Sequence, residues 1–195
     1  HHLEGTQYVD AHLNNETIRA EAGALCYLSG DITIRSRLVP SIGGLVKSLL
    51  ADEAVYRPTY TGTGVITLEA TLGGFHVLDL AQESWILEPG TYWASEESVN
   101  VSFRRESFQT SVWAGQGLIY LQTKVSGPGK VVVTTRGPIE EIQLEQGKKL
   151  VAEGKYVIGR AMGVAFSIQR ATKNFFGKFT SGEGLVRVYE GTGKI

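Results

Sequence analysis

The hydrophobic pattern of this chain consists of short alternating runs separated by glycine-rich segments. Runs such as VITLEA, VNVSF, KVVVTT and GLVRVYE alternate apolar and polar positions and are rich in β-branched residues. Such alternation places every second side chain on one face, which is typical of β-strands rather than helices. Helical periodicity is scarce by comparison. The sequence therefore predicts an all-β protein.

The predicted strands form a unit of similar pattern that occurs three times, at residues 5–72, 73–136 and 137–195. The phrases AEAGALCY, LEPGTYWA and VAEGKYVI mark the same place in each unit, and their glycines are 67 and 64 residues apart. A leucine stands ten residues before each of these glycines: Leu13, Leu80 and Leu144. A single unit buries too little surface to be stable alone, so three are expected to pack around a shared core. We predict one domain over 5–195, with 1–4 as a tag or linker.

The recurrent glycines are predicted to lie at tight turns, where a positive φ costs glycine little. A phosphate-binding loop is the alternative interpretation of glycine-rich phrases, but it requires a helix start, and no helical pattern follows. We therefore assign them a structural role. The glycines concerned are Gly23, Gly90, Gly154, Gly127, Gly129 and Gly193.

The first unit carries an insertion, VPSIGGLVKSLLADEA, that the other units lack. If this segment is helical, Leu45, Val46, Leu49 and Leu50 form a one-sided apolar stripe. We favour a short helix that plugs one end of the β-core, because apolar stripes usually face a core. The alternative is an exposed surface for a partner protein, a neighbouring subunit or a membrane.

The large aromatic residues of the second unit are interpreted by comparing equivalent positions. Trp93 occupies the position of Cys26 and Val157 in the other units, so it is predicted to lie in the core. The same comparison predicts that Cys26 is a buried, inert thiol. Trp85 aligns with Ile18 and Lys149 and is predicted to be partly exposed.

Composition and charge exclude several classes of function. The chain has 19 basic and 20 acidic residues and no long run of Lys or Arg, which argues against DNA and RNA as partners. The single cysteine cannot form an internal disulfide, which suits a reducing compartment. No apolar run approaches the roughly 20 residues that span a bilayer.

Catalytic and metal-binding signatures are absent from the sequence. His12 and His76 are isolated, whereas a cupin-type metal centre requires clustered histidines with a carboxylate. There is no Gly-x-Ser-x-Gly nucleophile motif. We therefore predict that the protein is not an enzyme and holds neither a metal nor a cofactor.

Four phrases together resemble a known family: EAGALCYLSGDITI, LEPGTYWAS, GQGLIYLQTKVSGPGKVVVTTRG and GEGLVRVYEGTGK. They are similar to the AIM-twenty-four family of mitochondrial-biogenesis proteins, named for altered inheritance of mitochondria, over nearly the whole chain. The resemblance implies a TRAP-like fold of β-sandwich or double-stranded β-helix units, triplicated about a pseudo-threefold axis. It implies no established enzymatic activity or cofactor, and a cytoplasmic location in prokaryotes or a mitochondrial one in eukaryotes.

Three functional hypotheses follow from the sequence. The leading one is a non-catalytic interaction or scaffold protein that binds protein partners or copies of itself. A second is binding of a small ligand or nucleic acid in clefts between the repeats. A third is peripheral association with a membrane surface through the apolar insertion at 41–50.

Overall fold

The computed structural model describes residues 2–3, 6–36, 57–105, 121–170 and 185–195. Within these residues the secondary structure is sixteen β-strands and one 3-10 turn at Gly154–Tyr156. The prediction of an all-β protein is confirmed. The apolar insertion, with Leu45, Val46, Leu49 and Leu50, lies outside the described residues.

The strands are numbered in chain order. The first unit contains β1 (His2–Leu3), β2 (Thr6–Ala20), β3 (Leu25–Arg35) and β4 (Thr59–Thr71). The second contains β5 (Phe75–Asp79), β6 (Ser84–Leu87), β7 (Tyr92–Glu96), β8 (Asn100–Arg105), β9 (Leu121–Ser126) and β10 (Lys130–Thr134). The third contains β11 (Gln143–Leu144), β12 (Lys149–Ala152), β13 (Gly159–Ala161), β14 (Val164–Arg170), β15 (Leu185–Gly191) and β16 (Gly193–Lys194).

The three units pair their strands in the same antiparallel order. In the first unit the long strand β4 lies between β2 and β3, and β1 adds to β2. In the second unit the corresponding strands are interrupted, so β10 lies between β5 and β7, and β9 lies between β6 and β8. In the third unit β15 lies between β12 and β14, while β11 pairs with β16. Four late strands, β4, β9, β10 and β15, thus lie between two strands of their own unit, whereas β16 pairs with β11 alone among the described strands.

Two further ladders join consecutive units. The end of β2 pairs with β7, with Ala20 opposite Ala94, and so links the first unit to the second. In the same way β6 pairs with β13, with Leu87 opposite Gly159, and links the second unit to the third. Among the described strands no ladder joins β12 of the third unit to β3 of the first.

Among the described residues most buried apolar side chains fall into three clusters, one in each unit, whereas the sequence predicts a single shared core. Leu13, Leu80 and Leu144 are buried in the first, second and third cluster, respectively. Neighbouring units still contribute across the ladders, because Ala94 belongs to the first cluster and Ile158 packs against the second. Each unit therefore has its own interior and shares only its boundary.

The predicted environments of Cys26 and Trp85 are wrong. A register shift between Leu25 and Tyr27 makes Cys26 the extra residue of a β-bulge, and its thiol is exposed. Trp93 occupies the equivalent bulge opposite β10, yet it packs against the first cluster and lies 5.9 Å from the Phe75 ring, between ring centroids. Trp85 is only 6% exposed, because its indole belongs to the second cluster.

The turn glycines fall into two groups. Gly23 and Gly90 have φ of +86° and +74° and occupy the third position of turns that close between Glu21 and Ala24 and between Glu88 and Thr91. The third turn starts one residue later, with Tyr156 N donating to Glu153 O, so Gly154 is its second residue and needs no positive φ. Gly154 is required for space instead, because a Cβ there would collide with the Arg187 side chain. Three other predicted glycines have positive φ at the β9–β10 and β15–β16 connections: Gly127, Gly129 and Gly193.

Candidate functional site

A cleft of about 1220 Å³ lies between the second and third units. Its walls are formed by the turn at 88–91, the connecting segment 134–140 and residues 152–159 around the 3-10 turn. Two of the glycines predicted from the sequence, Gly90 and Gly154, line it. The cleft therefore lies where the turns of two successive units face each other.

A buried cluster of charged and polar side chains forms one end of this cleft. Glu88 stands at the end of β6 and is only 8% exposed. Its carboxylate lies 3.0 Å from Arg187 Nη1 and accepts a 2.8 Å hydrogen bond from Gln122 Nε2. Arg160 Nη1 lies 3.7 Å from the same carboxylate, and Arg160 Nη2 donates to Gln122 Oε1 at 3.3 Å. Side chains from three strands, β9, β13 and β15, thus converge on one carboxylate, that of the residue which directly follows β6.

The Phe166 ring completes the Glu88 cluster. The guanidinium carbons of Arg160 and Arg187 lie 4.8 Å and 4.7 Å from its centroid, which is cation–π distance. Tyr189, fully buried, packs against the same ring with a centroid separation of 5.7 Å. The negative face of the ring offsets part of the charge of two guanidinium groups that share a single carboxylate.

Burial dominates the electrostatics of Glu88. It raises the pKa of the carboxyl group above its ordinary value, while Arg187, Arg160 and the Gln122 hydrogen bond act in the opposite direction. Burial likewise raises the pKa of Tyr189, against the opposing charge of Arg187. The cluster is a tightly paired ionic network, whose groups contact each other.

The first junction has a corresponding contact. Arg57 Nε donates to Glu21 Oε2 at 2.8 Å, and Arg57 Nη2 donates to Thr123 Oγ1 at 3.3 Å. The guanidinium carbon lies 4.4 Å from the centroid of Tyr92 and 4.9 Å from that of Phe103. Arg57 therefore ties the first unit to the second by a hydrogen bond and two aromatic contacts, while its ion pair with Glu21 lies within the first unit.

The two junctions use equivalent sequence positions. Glu21 and Glu88 both stand two residues before the turn glycine of their unit. Their partners Arg57 and Gln122 both stand five residues before the first glycine of a later Gly-x-Gly triplet, at 62–64 and 127–129, respectively. The third unit has Ala152 and Val186 at these positions, and both line the cleft. The polar pair thus recurs at each of the two junctions that the chain makes.

The sequence interpretation missed Glu88, Arg160 and Arg187. A signal was present, because Arg160 and Arg187 each interrupt a short apolar strand, and a charged residue is rarely buried unless it is paired.

Among the described residues no group of three or more His, Cys, Asp or Glu side chains could hold a metal ion. The described ranges contain no helix that is long and apolar enough to cross a membrane.

The profile of the family described as "Mitochondrial biogenesis AIM24" matches residues 1–195, the whole chain. The chain belongs to the AIM24 family. The resemblance found in the sequence is therefore confirmed.

Two streptococcal proteins place this AIM24 chain among its relatives. An uncharacterized protein of Streptococcus pyogenes serotype M6 is 21% identical over 189 residues, which cover 92% of this chain and 75% of the relative. A crystal structure of a protein from Streptococcus pyogenes superimposes with a TM-score of 0.70 at 19% identity, covering 97% of this chain and 86% of the other. The structural similarity shows that the fold is shared.

Proposed function

We propose that this AIM24 chain is a non-catalytic interaction protein that binds other protein chains through an open β-edge. The observation that carries the proposal is β3, an 11-residue strand that pairs only with β4 among the described strands. Tyr27 and Ile34 on this strand are 58% and 46% exposed, respectively. A long edge strand with exposed apolar side chains offers unpaired backbone groups to a partner strand. The proposal places the protein in the cytoplasm of a prokaryote or the mitochondria of a eukaryote.

We further infer that the three units are copies of one β-unit arranged in a TRAP-like manner about a pseudo-threefold axis. The shared strand order, the equivalent bulges at Cys26 and Trp93 and the equivalent junction contacts of Glu21 and Glu88 support this inference. In this arrangement the units form a rigid frame, and the edges of the frame are the surfaces that bind.

Substitution on β3 tests the interaction hypothesis. A Tyr27→Lys/Ile34→Lys variant keeps the strand but places two charges on the edge, which opposes pairing with another strand. Affinity capture from an extract of the source organism should lose bound proteins, including any copies of the chain itself, that the parent chain retains. Val77→Lys is the matched control, because Val77 is 53% exposed on β5, another outer strand. Identical sets of captured proteins for the parent and the β3 variant would overturn the proposal.

The cleft between the second and third units favours a second candidate function, the binding of a small molecule. It has room for an organic ligand, and its lining combines apolar side chains such as Ile158 and Val186 with charged ones such as Arg136. A ligand that binds the native state raises the apparent stability. A thermal-shift screen with tryptophan, nucleotides and RNA oligomers is therefore expected to reveal a stabilising compound whose effect is lost on Val186→Trp, which fills the cleft. A screen in which no compound raises the Tm would count against this function.

A further inference from the structure

We propose that the cleft between the second and third units binds a single aliphatic chain that carries one anionic group at its end, as a fatty acid does. The proposal rests on the second function proposed above, the binding of a small molecule, because it names the chemical class of that molecule. It requires in addition an aliphatic body, a negative head and a defined place for each.

The apolar lining of the cleft is aliphatic rather than aromatic. Tyr156 is the only aromatic residue among the described lining residues, and it is 73% exposed. Nucleobases are usually held by stacking on flat aromatic side chains, and the described walls offer little such surface. Aliphatic side chains suit a flexible chain of methylenes instead, which gains from many small contacts without needing a flat surface. Six of them are half-buried along the cleft: Ile139, Ile142, Leu150, Ile158, Ile168 and Val186.

The shifted third turn leaves room for such a chain. Tyr92 stands two residues after Gly90, is buried, and packs against Arg57 at the first junction. Tyr156 stands two residues after Gly154, but it belongs to the 3-10 turn and its side chain is exposed, so it does not fill the second junction in the same way. The cleft of about 1220 Å³ exceeds the roughly 300–1,000 Å³ of most small-molecule sites, which is enough for a long chain.

The charges of the lining leave one cation for an anionic head. Arg187 pairs with Glu88, and Lys155 pairs with Glu153. Arg136, in contrast, is exposed and has no ion-pair partner among the described residues. A negative group that binds Arg136 gains a charge-assisted hydrogen bond without breaking an existing pair.

The remaining charged residue of the lining, Glu140, stands where the cleft meets a second cavity. Unlike Arg136, it also lines this smaller cavity of about 40 Å³, together with His76 and Trp85. The negative side chain is thus shared with the smaller cavity, whereas the positive one belongs to the cleft alone. The head of the ligand is therefore assigned to Arg136, and its chain to the aliphatic walls.

A chain-length series tests the aliphatic body. Isothermal titration calorimetry measures the binding of octanoate, decanoate and dodecanoate to the full chain, at concentrations below those at which they form micelles. Each methylene that leaves water contributes about 0.8 kcal/mol, so the Kd should fall about fourfold per methylene, with one molecule bound per chain. Val186→Trp, which fills the cleft, should abolish this binding. If that variant does not fold, Ile168→Gln, a smaller change on β14, should weaken it. A Kd that does not fall with chain length, or that neither variant raises, overturns the proposal.

A comparison of head groups tests the role of Arg136. Arg136→Gln should weaken decanoate binding by about two- to fivefold, the effect of an exposed ion pair, and leave decanol binding unchanged. Lys130→Gln is the matched control, because Lys130 is exposed and is not among the lining residues. Decyl phosphate distinguishes the sources of the anion: binding as tight as that of decanoate indicates any single-chain anion, and weaker binding indicates a free carboxylate. If Arg136→Gln affects decanoate no more than decanol, the anionic head is wrong.

The thermal-shift screen separates this proposal from the function on which it rests. If no aliphatic anion binds, but another compound raises the Tm of the parent and not that of Val186→Trp, the cleft binds a different class of molecule and the small-molecule function stands. If neither aliphatic anions nor any compound of the screen binds, both proposals fall.

Discussion

Replacing Arg187 with methionine is expected to lower the free energy of unfolding by about 3–5 kcal/mol at neutral pH, the usual cost of removing one partner from a buried ion pair. The Glu88 carboxylate would stay buried without the cation that lies 3.0 Å from it. Arg160, at 3.7 Å, would then be its ion-pair partner among the described residues. Methionine keeps most of the apolar bulk, so the loss reports the charge rather than a cavity. Urea unfolding followed by tryptophan fluorescence measures the difference.

The deficit of this variant should shrink as the pH falls from neutral towards the ordinary carboxyl value of 4.5. Burial already raises the pKa of Glu88, and Arg187 opposes that rise, so its removal raises the pKa further. A carboxyl group with a raised pKa in the folded state binds its proton more tightly than in the unfolded chain. Its contribution to stability is therefore present at acid pH and lost as the pH rises through the folded pKa. The variant should be closest to the parent at the acid end of this range.

Two controls isolate the buried charge. The double variant Arg187→Met/Glu88→Gln should recover part of the loss, because the unpaired carboxylate is gone. Lys149→Met removes the exposed ion pair with Glu190 and should cost no more than about 1 kcal/mol. A deficit that is unchanged between pH 7 and pH 5, or a double variant no more stable than the single one, would contradict the role assigned to Glu88.

The strands could be predicted because they depend on local pattern. Alternating apolar residues mark the inward face, and the leucine ten residues before the turn glycine is buried in all three units. Gly154 lies in a turn, as predicted, but without a positive φ, because the hydrogen bond of that turn starts one residue later than in the other units, a shift that the sequence phrase does not reveal. The exposure of Cys26 was missed for a similar reason, because a bulge changes which side of the sheet a residue faces.

The candidate site could not be predicted in the same way, because it depends on contacts between units. Arg160 and Arg187 are 27 residues apart in sequence, and both lie within reach of a carboxylate from a third strand. An arginine that interrupts an apolar strand indicates a buried charge, but its own strand does not reveal which carboxylate pairs with it. Comparison of the units offers a better signal, since the acid of Glu21 recurs as Glu88 and is replaced by Ala152 in the third unit. A position that is acidic in the first two units, each of which is followed by a junction, and apolar in the third indicates a junction residue.

Substitution of the shared leucine tests whether each unit depends on its own core. Leu13→Ala, Leu80→Ala and Leu144→Ala are each expected to lower the free energy of unfolding by about 2–5 kcal/mol, since truncation of a buried leucine loses transfer free energy and leaves a cavity. The three side chains are 6%, 0% and 4% exposed, in that order. Leu80, the most buried, should show the largest loss. Chemical denaturation of the three variants measures these differences under one set of conditions.

Leu72→Ala is the matched control, because Leu72 is 91% exposed and its truncation should change stability by no more than about 0.5 kcal/mol. The ladders β2–β7 and β6–β13 join the three interiors, so every variant should unfold in a single transition shifted to lower denaturant concentration. This expectation is tested most severely in the third unit, because β12–β15–β14 and β11–β16 form separate sheets and, among the described strands of this unit, β13 alone pairs with a strand of the second unit. If Leu144→Ala produced a separate early transition while Leu13→Ala did not, the third unit would unfold independently, and the three units would not act as one frame.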